Sequence, residues 1–278
     1  MPTTPVEFTL DLTSGRFRAH RFGPASGRLT LAVHGLSANS RSFDFLGEEL
    51  AGDDRRVVAI DLRGRGFSEI TDPGTYGWRN HARDILEAAA LLGAARFDYI
   101  GHSMGAFIGM EVASTAPERV ESLVLVDAVG VPEAASLPPI LAAVQRLGNI
   151  DADADAYVAK VKSLGTIVPW SPVWETHYRY DLIAASGGVR PRTDHAAVLE
   201  DITYGAMQQP RDFWPRLTMR TLLVRSGLPL GTGFIVSAAD RAGFLRTAPR
   251  GEAVDVEANH YGVITHPRTA EAIRSFLS

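Results

Sequence analysis

The 278-residue sequence contains no cysteine. This excludes disulfides, thiolate zinc sites, iron–sulfur clusters and a cysteine nucleophile, so covalent catalysis has to use another side chain. No uninterrupted apolar run approaches the ~20 residues of a membrane span, and residues 1–7 carry neither the basic nor the apolar part of a secretory signal. We therefore expect a cytoplasmic protein with no membrane partner.

The chain also lacks an excess of positive charge. Its 28 Lys and Arg stand against 32 Asp and Glu, for a formal net charge of −4, and they form no long cationic run. Nucleic acids are therefore not expected as partners. Hydrophobic residues make up 45% of the chain and charged residues 22%, as in ordinary folded proteins, and the length allows two domains or one large domain with an insertion.

Short apolar or β-branched runs alternate with stretches of helical periodicity over most of the chain. Two or three strands are predicted within residues 6–33, the last of them at 29–33. Later strands are predicted at 57–60, 97–100, 120–126, 221–224 and 253–256, and helical stretches such as 78–92 and 104–116 lie between most of them. This alternation predicts an α/β fold, with a mostly parallel sheet and helices on both faces.

Residues 131–214 depart from this pattern. They contain no clear strand, and helix-like pieces alternate with prolines. We predict a mainly helical insertion here, with residues 1–130 and 215–278 as the core. The insertion is rich in aromatic residues: Trp170, Trp174, Trp214, Tyr157, Tyr178, Tyr180 and Tyr204. These side chains either form a small core of the insertion itself or line a ligand pocket beneath it.

The strongest local motif is G-x-S-x-G at residues 101–105, between a predicted strand and a predicted helix. This setting is typical of a nucleophile elbow, a sharp turn that accepts only small residues near the serine and presents its hydroxyl above the carboxyl end of the sheet. The turn leaves the backbone N–H of Met104 at a helix N-terminus, where it can stabilise an oxyanion. Ser103 is therefore the predicted nucleophile.

A serine nucleophile needs a base within hydrogen-bond reach. Among the eight histidines, His260 follows a late predicted strand, in a loop that emerges at the same edge of the sheet as the elbow. It is the predicted base. His102 points away from the serine on the turn and is expected to be structural. The histidines expected at the surface or in ordinary packing are His20, His81, His177, His195 and His266.

Four motifs in order resemble those of the α/β-hydrolase superfamily: His34-Gly35 after an early strand, residues 61–68 after the next, the elbow at Ser103, and Asn259-His260. The resemblance covers residues 28–130 and 215–278, and it puts the insertion where that superfamily carries its cap domain. It implies an α/β-hydrolase fold with a helical cap and the backbone N–H of Leu36 as the second oxyanion donor. It implies no metal, nucleotide or organic cofactor.

The acid that orients the histidine is missing from the position most α/β-hydrolases use, because no Asp or Glu occurs between Phe213 and Ala239. Asp127 follows the strand 120–126, which a right-handed crossover places beside the nucleophile strand, and it is the predicted acid. Asp240 is the alternative, although its S-x-x-D pattern is typical of a helix start.

A subset of the superfamily does place its acid after this earlier strand. Residues 234–240 and 258–261 look similar to that subset, which includes the (E)-2-(acetamidomethylene)succinate hydrolases. An anionic substrate of that kind would need arginines in the insertion. Those available are Arg146, Arg179, Arg190 and Arg192, each expected at the surface.

These residues together predict a serine hydrolase that forms an acyl-enzyme from a small carboxylic ester or a related acyl compound. Hydrolysis of an amide, an enamide or a C–C bond by the same residues is the alternative. A further alternative is a small-molecule receptor of the same fold, without turnover. The expected partner is in each case a small molecule.

Overall fold

The computed structural model describes residues 5–168 and 170–278. Its strands, in chain order, are β1 (Val6–Leu12), β2 (Gly15–Phe22), β3 (Arg28–Val33), β4 (Arg55–Ile60), β5 (Phe97–His102), β6 (Val120–Val126), β7 (Leu182–Ala185), β8 (Gly188–Pro191), β9 (Arg220–Ser226) and β10 (Gly251–Val256). Eight of them form one sheet in the order β1-β2-β4-β3-β5-β6-β9-β10. The pairs β1–β2 and β2–β4 are antiparallel and all other neighbours are parallel, which confirms the predicted mostly parallel sheet.

The helices are α1 (Asp44–Leu50), α2 (Trp78–Leu91), α3 (Met104–Thr115), α4 (Leu137–Gln145), α5 (Ala154–Ser163), α6 (Pro172–Tyr180), α7 (His195–Ala206), α8 (Ala238–Thr247) and α9 (Pro267–Leu277). Several begin at a polar side chain that accepts a free backbone N–H of the first turn: Asp153 before α5, Asp194 before α7 and Ser237 before α8. None of the described helices is long and apolar enough to cross a membrane.

The central strands are buried on both faces, which explains their nearly continuous apolar sequences. In β6, Leu123 and Leu125 belong to one hydrophobic cluster, and Val124 and Val126 belong to a second cluster on the opposite face. Successive side chains of a strand point to opposite faces, so one short run of apolar residues fills both cores. The sheet is therefore packed on both faces, and it fixes the positions of the loops at the carboxyl ends of its strands.

The carboxyl ends of β5, β6 and β9 lie side by side. His102 at the end of β5 pairs with Val126 of β6, and Val126 pairs with Val224 of β9. The residues that follow extend this ladder, because the backbone N–H of Ser103 donates to Val126 (3.0 Å) and that of Asp127 donates to Val224 (2.8 Å). Ser103 and Asp127 therefore lie at one edge of the sheet.

Residues 131–214 contain α4 to α7, as expected, but the prediction that they hold no strand is wrong. β7 and β8 form an antiparallel hairpin outside the main sheet. Each strand has four residues, too few for an alternating pattern to stand out in the sequence. The turn uses Gly187 and Gly188 at φ 91° and 151°, a backbone region that favours glycine.

Buried polar contacts join residues 131–214 to the rest of the chain. The phenol of Tyr180 donates to Asp61 (2.8 Å), and Arg192 donates to the carbonyl of Gly66 (2.6 Å). Arg65 and Asp201 form an ion pair (2.5 Å) in which neither side chain is exposed. These contacts fix the insertion over the carboxyl edge of the sheet.

Candidate active site

Ser103 sits on a strained turn between β5 and α3. Its backbone has φ 56° and ψ −122°, in the left-handed half of φ space that non-glycine residues rarely adopt. Glycines make this turn possible, because a Cβ on Gly101 would collide with the carbonyl of Gly105, and a Cβ on Gly105 would collide with that of Val33. Strain of this kind persists where the surroundings over-determine it, and it is common at functional sites.

Ser103, His260 and Asp127 form one hydrogen-bonded line. The Ser103 hydroxyl lies 3.1 Å from Nε2 of His260, and Nδ1 of His260 lies 2.8 Å from Oδ2 of Asp127. Because an ionised carboxylate only accepts, Nδ1 carries the proton and Nε2 accepts from the serine. This is the tautomer that a general base needs.

Asp127 is held as a carboxylate. Its backbone has a positive φ of 50°, and the N–H of Ser226 donates to Oδ1 (2.9 Å). Burial by itself raises the pKa of Asp127, but the hydrogen bonds from His260 and Ser226 and the charge of His260 outweigh it, so the pKa lies below its usual value. Asp127 therefore stays ionised and orients His260 at neutral pH.

Asp240, the alternative acid, makes different contacts. Its carboxylate accepts from Nε of Arg211 (2.7 Å), and its backbone N–H donates to the hydroxyl of Ser237 at the start of α8 (2.9 Å). The helix start anticipated from the S-x-x-D pattern is therefore present. The structure brings Asp127, and not Asp240, to His260.

The loop that carries His260 is anchored from two sides. Nε2 of His102 lies 2.9 Å from the carbonyl of His260 and donates to it, while Asn259 accepts from the N–H of Gly262 (3.0 Å) and donates to the carbonyl of Thr166 (3.0 Å). Burial lowers the pKa of His102 to about 3, so this imidazole is neutral. His102 thus has the structural position expected from the sequence.

Leu36 lies in the loop after β3, which passes close to the nucleophile. A Cβ on Gly35 would lie only 3.1 Å from the Cβ of Ser103, so glycine allows this close approach. His34 holds the loop, because Nδ1 donates to the carbonyl of Gly35 (2.8 Å) and Nε2 accepts from the N–H of Leu62 (3.0 Å). Met104 is the first residue of α3, where an N–H has no acceptor within the helix.

A chamber of about 50 Å³ lies above Ser103 and His260 and opens toward an outer cleft of about 440 Å³. Ala143, Arg146, Tyr178 and Tyr261 line both spaces. Trp174 and His177 of α6 line the chamber as well. Trp174 and Tyr178 also belong to a hydrophobic cluster that includes Val124 and Val224 of the central sheet, so these two residues pack against the main core rather than forming a small core of the insertion alone.

Arg146 differs from its sequence expectation, because it is buried rather than at the surface, with 8% of its area exposed. Nε donates to the phenol of Tyr157 (3.0 Å), and the guanidinium lies over the ring of Tyr178, 5.2 Å from its centroid. Burial raises the pKa of Tyr157 to about 12, so this partner is uncharged. The cation therefore faces the chamber without an anionic partner among the described residues.

Arg179, Arg190 and Arg192, the other three arginines considered for an anionic substrate, have partners away from the chamber. Arg179 pairs with Asp155 and Glu175 on the surface, and Arg190 and Arg192 donate to backbone carbonyls. His177 is buried and lines the chamber that contains Ser103, a position its sequence context did not reveal. A cation in an otherwise apolar segment and a histidine among aromatic residues are the signals that could have marked Arg146 and His177.

Within residues 5–168 and 170–278, no group of three or more His, Asp or Glu side chains could hold a metal ion.

Comparisons with known proteins agree with this architecture. A family model described as the α/β hydrolase fold matches residues 31–181. A serine hydrolase-like protein of Danio rerio is 37% identical over 45% of the chain, a match that spans 38% of that protein. The chain covers well under half the length of this and other curated relatives.

Another relative matches over nearly its whole length. The 2-(acetamidomethylene)succinate hydrolase of Mesorhizobium japonicum is 28% identical over 95% of this chain and 92% of its own. A crystal structure of E-2-(acetamidomethylene)succinate hydrolase superposes with a TM-score of 0.86 and 26% identity, over 98% of this chain and 99% of that one. Since the family model matches more than half of its residues, the chain belongs to the α/β-hydrolase fold family.

Proposed function

We propose that this chain is a serine hydrolase that cleaves a small carboxylic ester or a related acyl compound through an acyl-enzyme. The observation that carries the proposal is the hydrogen-bonded line from Ser103 through His260 to Asp127 beside an enclosed chamber.

In the proposed reaction, Ser103 attacks the carbonyl carbon while His260 takes the hydroxyl proton, and Asp127 stabilises the imidazolium that forms. The N–H groups of Leu36 and Met104 hold the oxyanion. When the tetrahedral intermediate collapses, the bond to the leaving group breaks and His260 returns the proton to that group. A water then attacks the acyl-enzyme by the same route, which releases the acid and restores the serine.

We also propose that residues 131–214 act as a cap domain over a core of residues 1–130 and 215–278. Support comes from the residues of the chamber wall. This wall includes Arg146, which directly follows α4, and three residues of α6: Trp174, His177 and Tyr178. Such a cap excludes water from the chamber, which strengthens the electrostatic interactions inside it.

The proposed function predicts Ser103-dependent turnover of at least one class of acyl substrate. A panel of short esters, N-acetyl amides, lactones and β-diketones tests this, with Ser103→Ala protein as the blank. We expect many turnovers per chain in the wild type, whereas a receptor would release about one equivalent of product. Activity that is unchanged in Ser103→Ala protein would exclude the serine mechanism.

A second candidate, hydrolysis of an anionic amide or enamide, is favoured by Arg146. A buried guanidinium whose partners are the uncharged Tyr157 and Tyr178 is suited to bind a carboxylate of the substrate. The relatives whose names specify an acetamidomethylene succinate, an enamide that carries carboxylates, support the same class. The same triad would attack the acetyl carbonyl of such a compound.

This candidate predicts that Arg146 discriminates charge. The measurement is acetate release from 2-acetamidoacrylate and from its methyl ester, which keeps the enamide and removes the carboxylate. Arg146→Gln should lower kcat/KM for the acid by about 10–100-fold, the size of a charge-assisted hydrogen bond, and should affect the methyl ester much less. Arg179→Gln, a change at an exposed ion pair, is the matched control. An equal loss on both substrates would count against this candidate.

A further inference from the structure

His177 is a second histidine of the chamber, and the proposed reaction does not use it. It lies on the buried face of α6 with Trp174 and Tyr178, is 3% exposed, and lines the chamber together with Ser103. Asn39 donates to the carbonyl of His177 (3.1 Å) and caps the short helix Ser40–Phe43. This contact fixes the position of His177 relative to the core.

The imidazole of His177 is held between aromatic rings. The Trp174 ring meets it edge-on at a centroid distance of 5.6 Å, and the Tyr178 ring does so at 4.8 Å. Nδ1 is fully buried and has no hydrogen-bond partner among residues 5–168 and 170–278. In the part of the chain that the structure describes, Nε2 has no partner either, so the ring is firmly placed but its polar atoms are unused.

The charge state and tautomer of this imidazole follow from its surroundings. Burial, and then the nearby charges of Arg146 and Arg41, lower the pKa of His177 to about 3, so the ring is neutral. A buried N–H without an acceptor is rarer than a buried acceptor without a donor. The fully buried Nδ1 is therefore the unprotonated nitrogen, and Nε2 carries the hydrogen.

We propose that His177 is a specificity residue whose Nε2–H donates to an oxygen of the substrate other than the scissile carbonyl. The proposal rests on the proposed function, because it places the substrate in the Ser103 chamber. It names a substrate class, acyl compounds with a second uncharged oxygen acceptor. Such a contact is distinct from the charge contact of Arg146, since a neutral N–H donor can hydrogen-bond to an uncharged ketone, ether or amide oxygen.

Two pairs of esters that differ by one oxygen test this contact on either side of the scissile bond. The first pair is p-nitrophenyl methoxyacetate and p-nitrophenyl butyrate, and the second is 2-methoxyethyl acetate and butyl acetate. His177→Phe keeps a ring of similar shape and removes the donor. In at least one pair we expect it to lower kcat/KM for the oxygen-bearing ester about tenfold more than for the hydrocarbon partner.

The matched variants separate this role from packing. His177→Gln keeps an N–H donor and should restore most of the discrimination, while His195→Gln, at an exposed position of α7, should leave all four rates unchanged. Equal losses within both pairs would overturn the proposal. If hydrolysis of all four esters persists in Ser103→Ala protein, the proposed function fails instead, so the two failures are distinguishable.

A measurement without turnover tests the same claim. In protein labelled with ¹⁵N-histidine, with the His177 signals assigned by their loss in His177→Gln, we expect a neutral ring with hydrogen on Nε2 from pH 5 to pH 8. A charged ring in this range, or hydrogen on Nδ1, would overturn the proposal even if none of the four esters is cleaved.

Discussion

Asp127→Asn should lower kcat by about 10⁴-fold while the protein stays folded. In the wild type Nδ1 of His260 donates to Asp127 at 2.8 Å. The asparagine amide has nearly the same shape as the carboxylate but can donate to Nδ1, which would then accept. That contact favours the tautomer with hydrogen on Nε2, so Nε2 cannot take the proton of Ser103. The expected loss appears in kcat for whichever substrate the panel identifies.

Asp240→Asn is the matched control for this prediction. Asp240 is as buried as Asp127, at 2% against 1% exposed. Its carboxylate, however, accepts from Arg211, and its backbone N–H donates to Ser237 at the start of α8. We expect its kcat to stay within a few-fold of the wild type. The assignment of the acid is wrong if Asp240→Asn loses most of the activity and Asp127→Asn does not.

Asp201→Ala should lower the free energy of unfolding by about 3–5 kcal/mol, because it leaves a buried charge unpaired. Asp201 pairs with Arg65, lies 3.1 Å from Nε2 of His81 and accepts from the N–H of Gly77 (2.7 Å). Burial by itself raises the pKa of Asp201, but the charges of His81 and Arg65 hold it well below its usual value. Urea unfolding measures the loss of free energy, and in thermal unfolding we expect a fall in Tm of roughly 10 °C.

Removal of the Asp201 carboxylate should also affect the active site. Arg65 also donates from Nε to the carbonyl of Leu36 (3.1 Å), so its displacement would move the loop that carries one proposed oxyanion donor. Glu49→Ala is the control, since Glu49 and Arg274 form an exposed pair that contributes about 1 kcal/mol or less. An Asp201→Ala protein as stable as the Glu49→Ala protein would show that the buried pair does not hold α7 to the core.

Much of the fold and of the candidate site was predictable because the signals are local. The strand, sharp turn and helix around Ser103 all lie within residues 97–115. The central strands can be predicted from short apolar runs in the sequence. Two features of the sequence predict Asp127 as the acid. Residues 214–238 contain no Asp or Glu, and the right-handed crossover places β6 beside β5. Adjacent strands then bring distant residues to one edge.

The remainder depends on contacts between distant segments. The hairpin of β7 and β8 is too short for periodicity, and only its Gly187-Gly188 turn marks it. Arg146 and His177 follow helical patterns that fit a surface or a core equally well. Their place beside Ser103 arises from the packing of α4 and α6 over the sheet, which a sequence pattern does not encode.

The most direct test of the central claim, that Ser103 is the nucleophile, is intact-mass and peptide mass spectrometry after reaction with diethyl p-nitrophenyl phosphate. Ser103 would attack phosphorus, His260 would take the hydroxyl proton, and p-nitrophenolate would leave. The account predicts one diethylphosphoryl group per chain, on the peptide that contains Ser103, and none in Ser103→Ala protein. A label on any other residue, or an active wild-type chain that stays unlabelled, would contradict it.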